Sequence, residues 1–357
     1  MPSDSIREAR RQLEICNACR YCEGYCSVFP AVHSRRAFDD VTIDHLANLC
    51  HNCRNCYYAC QYTEPHEFAL NLPAALADVR QQSWQDHAWP VSLSKAFQRS
   101  GVAIALATIV GLALLMLAIH QVGSWQGEGF YGVLSHDAML AIFLPAFLLP
   151  VLVIAVSVRR YWRHSRAGNT SGGAITDALA SAASLKNLAG GHGDGCNFED
   201  EDRFSTARCW FHQATMYGFL LCFASTSVAT LMHYGFDLPA PYPLFSLPKL
   251  FGVSGGLLLC AGTLGLAVLK LKADPKLGAT SAWGGEMGFV LLLFLVSASG
   301  LALYWFGETS ALQALLVIHL GAVFAFFLLM PYTKMMHGFF RLAALLRDKN
   351  EQRDGSA

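Results

Sequence analysis

Charge is scarce in this sequence. Only 15% of its 357 residues are Asp, Glu, Lys or Arg, and 26 basic residues cancel 26 acidic ones. Zero net charge without a basic stripe excludes the electrostatic footprint of a nucleic-acid binder, so no nucleic-acid partner is expected. An apolar h-region is also missing. Residues 1–15 hold Arg7, Arg10 and Arg11 but no hydrophobic run, so no signal peptide is expected. The glycine-rich stretch GGHGDG at 190–195 does not follow a predicted strand. It reads as a turn before an acidic loop rather than a dinucleotide fingerprint. No acid/base pair or nucleophile set stands out for substrate chemistry. What the chain has in excess is apolar residues, at 54%, more than an ordinary soluble domain carries.

Those apolar residues are unevenly placed. Residues 1–90 are polar throughout, whereas residues 101–119 contain no charge at all. At 1.5 Å per residue such a run is long enough to cross a bilayer core. Five more spans are predicted, near 138–158, 213–235, 250–269, 287–306 and 312–333. Pro145 and Pro150 inside the second are tolerated where neighbouring helices satisfy the freed backbone groups. Trp125, Trp210, Trp283 and Trp305 fall near span ends, as interface anchors do. The third span is the most polar, with Gln213, Thr215, Ser225, Thr226 and Ser227, and is expected to face the bundle interior. Lys and Arg are absent from 120–137, 236–248 and 307–311 but cluster after spans two, four and six, as at Arg159, Arg160, Lys270, Lys272, Lys334 and Arg341. The positive-inside rule then puts both termini in the cytoplasm, and six spans give the same parity. The cytoplasmic loop 159–211 carries Ile175, Leu179, Ala182 and Leu185 at helical spacing, which predicts a short amphipathic helix.

Two stretches near the start share one pattern, C-x2-C-x2-C-x3-C. They are Cys16, Cys19, Cys22, Cys26 and Cys50, Cys53, Cys56, Cys60. In a reducing compartment, clustered thiols argue for metal rather than disulfides. Zinc sites usually show two C-x2-C pairs with a longer gap. The tight triplet followed by a fourth cysteine suits an iron–sulfur cubane, and in two-cluster ferredoxins the fourth cysteine of each run serves the other cluster. Cluster one is therefore assigned Cys16, Cys19, Cys22 and Cys60, and cluster two Cys50, Cys53, Cys56 and Cys26. Proline does not follow the fourth cysteine directly: Ser27 and Gln61 do. Together with the helix-like spacing between the runs, this resembles the helical ferredoxin modules of succinate dehydrogenase and heterodisulfide reductase subunits. Cys222 and Cys260 lie in spans and read as packing residues. Cys196 and Cys209 in the loop share no spacing with the runs.

Of 13 histidines, four bracket spans three and six. His212 and His233 flank the third, and His319 and His337 the sixth. These spans are antiparallel, and their histidines are separated by about 32 and about 27 Å of helix. Such a pair of helices offers His212 with His337 near one face and His233 with His319 near the other. Two axial imidazoles are what a low-spin haem b requires. The plain alternative is an interfacial histidine at a helix end, the reading given to His120 and His136. His33, His45, His51, His66 and His87 read as surface or supporting residues of the polar segment.

The whole chain resembles the tricarballylate utilisation protein B family, also called citrate utilisation protein B. The resemblance rests on the doubled cysteine runs, GDGCN, RCWFHQATMYGFLLCFASTSVATLMHY, PYPLFSLPKLFG, VIHLGAVFAFFLLMPYTKMMHG and FRLAALLR. The stretch ending MPYTKMMHG also resembles the last helix of the haem b subunit of respiratory nitrate reductases, which carries two separated haem ligands. The family resemblance implies an electron carrier. Its partner, an FAD-dependent tricarballylate dehydrogenase, makes cis-aconitate and leaves reduced flavin, which the B protein reoxidises by passing electrons to quinone.

The expected protein is all-α: a di-[4Fe–4S] ferredoxin-like domain over 1–90, then a six-span cytochrome b-like membrane domain over 91–357. It is expected in the bacterial inner membrane, among lipid, with one or two haem b groups and no substrate chemistry of its own. The rivals are the same relay serving another organic-acid dehydrogenase or a heterodisulfide reductase-like complex, and a membrane-anchored iron–sulfur redox sensor. A transporter is disfavoured because the span cores lack Asp, Glu, Lys and Arg.

Overall fold

A computed structural model describes residues 3–26, 28–122, 132–168, 170–188, 195–198 and 203–353. Trp125, His192 and most of the glycine run lie outside them. The fold is all-α, with one two-stranded hairpin among the described residues.

Five helices form the polar N-terminal module: α1 (Asp4–Cys19), α2 (Val28–His33), α3 (Asp40–Leu49), α4 (Asn55–Tyr58) and α5 (Leu72–His87). Local chemistry sets their starts. The side chains of Ser3, Asp39 and Asn71 accept from Ile6, Thr42 and Ala74 backbone N–H groups, satisfying donors that a helix start leaves open. Helix α1 stops at Arg20, which adopts φ 58°, and the cysteine loops begin there. Ala9, Leu13, Val32, Ile43, Leu46 and Leu76 pack the module's core.

Among the described residues, six helices are long and apolar enough to span a membrane, as the sequence predicts. They are α6 (Val91–Val122), α7 (His136–His164), α9 (Ala207–Phe236), α10 (Leu247–Lys272), α11 (Trp283–Phe306) and α12 (Leu312–Leu329). Helix α6 starts ten residues before the predicted span and bends at Ser100, whose φ of −132° is not helical. Between α7 and α9 lie α8 (Gly172–Ser184), the amphipathic helix predicted there, and the hairpin of β1 (Cys196–Phe198) and β2 (Arg203–Ser205). The last helix, α13 (Met336–Arg353), leaves the bundle and returns to the module. Its Ala344 and Leu345 join the module core, as does Ala178 of α8.

One expectation is corrected. The polar third span, α9, does not face the bundle interior and is the least buried of the six. Ser225 bonds α10, at Pro248 O (2.6 Å); the other Ser and Thr hydroxyls bond within the helix: Thr215 to Phe211 O (2.9 Å), Ser227 to Phe223 O (2.9 Å) and Thr230 to Thr226 O (2.9 Å). Satisfied in this way, they need no neighbour to sit among apolar surroundings. What fixes α9 is close packing on α10. A Cβ at Gly218 would stand 2.6 Å from Leu259 N and one at Gly255 would stand 2.9 Å from Cys222 N, so only glycine lets these backbones approach so closely.

Candidate metal centres and the seam between module and bundle

Two adjoining cavities divide the eight clustered cysteines. The first is lined by Cys16, Cys19, Cys22 and Cys60 together with Cys56. The second is lined by Cys26, Cys50, Cys53 and Cys56. Phe29, Cys56 and Leu72 belong to both walls. The last cysteine of each run thus meets the first three of the other run. Burial, reinforced by neighbouring thiols, pushes Cys16 up to about 12, Cys22 to about 11 and Cys53 to about 12. Thiols in that state keep their protons unless a cation replaces them. The donor set therefore fits a soft metal group in each cavity. Backbone N–H groups of Asn52 and Tyr62 point at Cys50 Sγ and Cys60 Sγ, each at 3.4 Å, the kind of contact that tunes thiolate-bound iron.

The second cysteine run is tied to the bundle by arginines. Arg341 of α13 donates to Cys50 O at 2.8 Å, and Arg208 of α9 donates to Asn52 O at 2.5 Å. Arg80 of α5 reaches the same Cys50 carbonyl at 2.8 Å and lies over the Trp84 ring. Burial pulls Arg341 down to about 9, with Arg80 adding repulsion. Sequence reasoning used Arg341 only as an orientation signal and did not single out Arg80 or Arg208. The hairpin covers the same run, with Asn55 Nδ2 donating to Gly195 O at 3.0 Å. Gly195 has φ +103°, and a Cβ there would meet Ser205 O at 2.1 Å. Cys196, 2% exposed, packs with Cys53, and Cys209 borders that cluster. A thiol beside the second cavity was not foreseen, since no spacing ties it to the runs.

One helical turn from each bridging arginine stands a predicted haem ligand. His212 follows Arg208 in α9, and His337 precedes Arg341 in α13. Their rings lie 5.8 Å apart, nearly perpendicular at 83°. His212 Nδ1 is buried without a hydrogen-bond partner. His337 uses Nδ1 on Lys334 O, which leaves Nε2 free. Trp84 is 6.4 Å from the His337 ring. The other two predicted ligands are not brought into ring contact. His319 Nδ1 bonds Ser299 Oγ at 3.0 Å, and its ring fills the space where a Gly300 side chain would stand, 3.0 Å from Cε1. His233 instead stacks on His136 at 4.8 Å, a residue that sequence reasoning left as interfacial. An orphaned buried nitrogen and free Nε2 atoms fit imidazole ligation of a haem. His45, expected at the surface or in a supporting position of the polar segment, is a core residue at 0% exposure.

Beside the inner histidines Glu286 of α11 pairs with Lys270 and with Lys334, the latter at 2.7 Å. Each of these residues sits just outside or at the margin of a predicted span, which hid the triad from hydropathy.

The sequence has counterparts among known proteins. A family profile described as citrate utilization protein B matches residues 95–357. A second, its Fer4-like domain, matches residues 9–88. A curated relative from Escherichia coli, "Citrate utilization protein B", is 43% identical over 353 residues, covering 98% of this chain and 93% of its own length. No solved structure matches.

Proposed function

The chain belongs to the citrate utilization protein B family, and on that premise we propose that it carries electrons from a reduced flavoprotein to the membrane quinone pool. The donor is a tricarballylate dehydrogenase-like FAD enzyme, and the protein sits in the bacterial inner membrane with both termini cytoplasmic. In this reading Cys16, Cys19, Cys22 and Cys60 hold one [4Fe–4S] cluster, and Cys50, Cys53, Cys56 and Cys26 the other. His212 with His337, and His233 with His319, hold haem b. Iron–sulfur and haem groups exchange single electrons, so together they divide the electron pair of a reduced flavin into separate transfers.

The observation that carries the reading is the seam. The loop around Cys50 is hydrogen-bonded by Arg208 and Arg341, each one turn from an inner histidine. The chain's own residues then have distinct tasks. The cysteines supply soft donors. The arginines fix the Cys50 loop against α9 and α13 and bring positive charge to it. The imidazoles of His212 and His337 are held behind that loop, among Arg208, Arg341 and Lys334. A thiol-rich module exposed to solvent meets a lipid-embedded helical bundle at this point, which is what a route from a soluble donor to a lipid-phase acceptor requires.

The test is an absorption spectrum of the purified protein, oxidised and then dithionite-reduced, with iron and haem assayed on the same sample. About eight non-haem irons per chain and sharp b-type bands on reduction are expected. Eight irons without haem would sink the membrane half of the proposal and favour an iron–sulfur sensor.

A further inference from the structure

In the seam between module and bundle, away from the cysteine cavities, a buried carboxylate oxygen has no hydrogen-bond partner. It is Oδ2 of Asp44 on α3, a residue only 6% exposed. The companion oxygen Oδ1 accepts from Asn48 Nδ2 at 3.2 Å. Asn48 is itself fixed by Ser83 Oγ at 3.1 Å and Trp84 Nε1 at 3.0 Å. The carboxylate is thereby held with one oxygen free.

Two imidazoles close on that oxygen. His164, the last residue of α7, brings Nε2 to 3.7 Å from Oδ2. His87, the last residue of α5, packs 5.2 Å from the His164 ring. Its Nδ1 bonds Ser83 O at 2.8 Å. A carbonyl there keeps the proton on Nδ1 and turns a lone pair out at Nε2, as in metal-bound histidines. One ligand atom from each of the three residues lies within 4.8 Å of the others.

We propose that Asp44, His87 and His164 bind a divalent transition-metal ion of zinc's class and thereby staple the cysteine module to the bundle. Two imidazoles and a carboxylate are ligands that suit such ions, and three protein ligands leave one position for water. Donor atoms around tetrahedral zinc lie roughly 3.4 Å apart, given bonds of about 2.0–2.1 Å. The set closes around an ion with side-chain movements of about an ångström. A cation also answers the electrostatics: a buried carboxylate otherwise takes a proton or remains uncompensated. The ligands come from three elements, α3 and α5 of the module and α7 of the bundle, so one ion cross-links both parts. This site involves none of the clustered cysteines and does not depend on the proposed electron route.

Zinc is the probe for the test. Full-length protein with its own irons is washed with chelator, given zinc and desalted. Zinc and iron are then counted, and zinc K-edge absorption fine structure is recorded. The expected result is one zinc per chain with a nitrogen/oxygen shell near 2.0 Å and no sulfur shell near 2.3 Å, distances that separate these ligands. His164→Gln and Asp44→Asn should each weaken zinc binding at least tenfold and leave the iron count unchanged. His164 is exposed enough that its replacement threatens folding least. Absent uptake, a sulfur shell, or equal zinc binding by wild type and both variants would overturn the proposal.

Discussion

Replacing Arg341 by Gln should lower the midpoint potential of the cluster assigned to the second cavity by about 100 mV. Its guanidinium lies 2.8 Å from the Cys50 carbonyl oxygen. The path from there to Sγ crosses the carbonyl carbon, Cα and Cβ, so the charge stands roughly 7 Å from the thiolate. At an effective dielectric constant of about 20, a unit charge at that distance is worth about 2.4 kcal/mol. One electron converts about 1.4 kcal/mol to about 59 mV, which gives the figure above. Loss of a nearby cation disfavours the reduced, more negative state, so the shift is downward. Arg80 stays on the same carbonyl and keeps the loop in place, so iron should be retained. The assay is a redox titration of the full-length protein followed by electron paramagnetic resonance. Arg341→Lys should restore part of the potential by returning the charge without the fork geometry. Arg166→Gln is the control, because Arg166 pairs with Asp39 at the surface with 73% of its side chain exposed. If Arg341→Gln and Arg208→Gln both left the potential within about 20 mV of wild type with full iron content, screening would dominate and the bridge would be mechanical only.

Two further outcomes follow from particular contacts. Because the last cysteine of each run lines the other run's cavity, the double variant Cys50→Ala/Cys26→Ala should lose one cluster's irons, whereas Cys22→Ala/Cys26→Ala should lose both. An iron assay that found the reverse pattern would reassign the ligands. Asp348 on α13 is 2% exposed, and burial, with Glu351 adding repulsion, pushes its carboxyl up to about 6. A raised carboxyl value favours the protonated form in the folded chain, so its ionisation opposes folding. That cost is absent below about pH 3.9 and complete above about pH 6, where it reaches about 3 kcal/mol. Asp348→Asn should therefore raise the thermal midpoint at pH 7.5 and gain less at pH 5; an equal gain at both pH values would refute the burial argument.

The spans were readable because lipid imposes a local demand. About twenty consecutive apolar residues are needed wherever a helix crosses, and no other part of the fold can supply them. The cysteine runs were readable for a similar reason: three ligands of one metal group within seven residues leave their spacing in the sequence. Helix α8 announced itself by its period. The orientation of α9 did not, because Ser227 and Thr230 bond their own helix, and polarity then says nothing about which face is buried. Glycines 218 and 255 decide that packing, and their partners are on another helix.

The seam was illegible for a different reason, and that reason bears on how it works. Arg341 and Cys50 are 291 residues apart in the chain, and Arg208 and Asn52 are 156 apart. No spacing in the chain ties either arginine to the loop it reaches. The clustered thiols are specified locally, so a single change among them removes a donor outright. The contacts that set how module and bundle face each other are specified only by the finished fold. Substitutions at Arg208, Arg341, Asp44 or His164 should therefore leave the thiol cavities filled while altering potential or cross-linking. A protein whose ligands and whose seam can be perturbed separately allows the content of its centres and the coupling between them to be measured as two independent quantities.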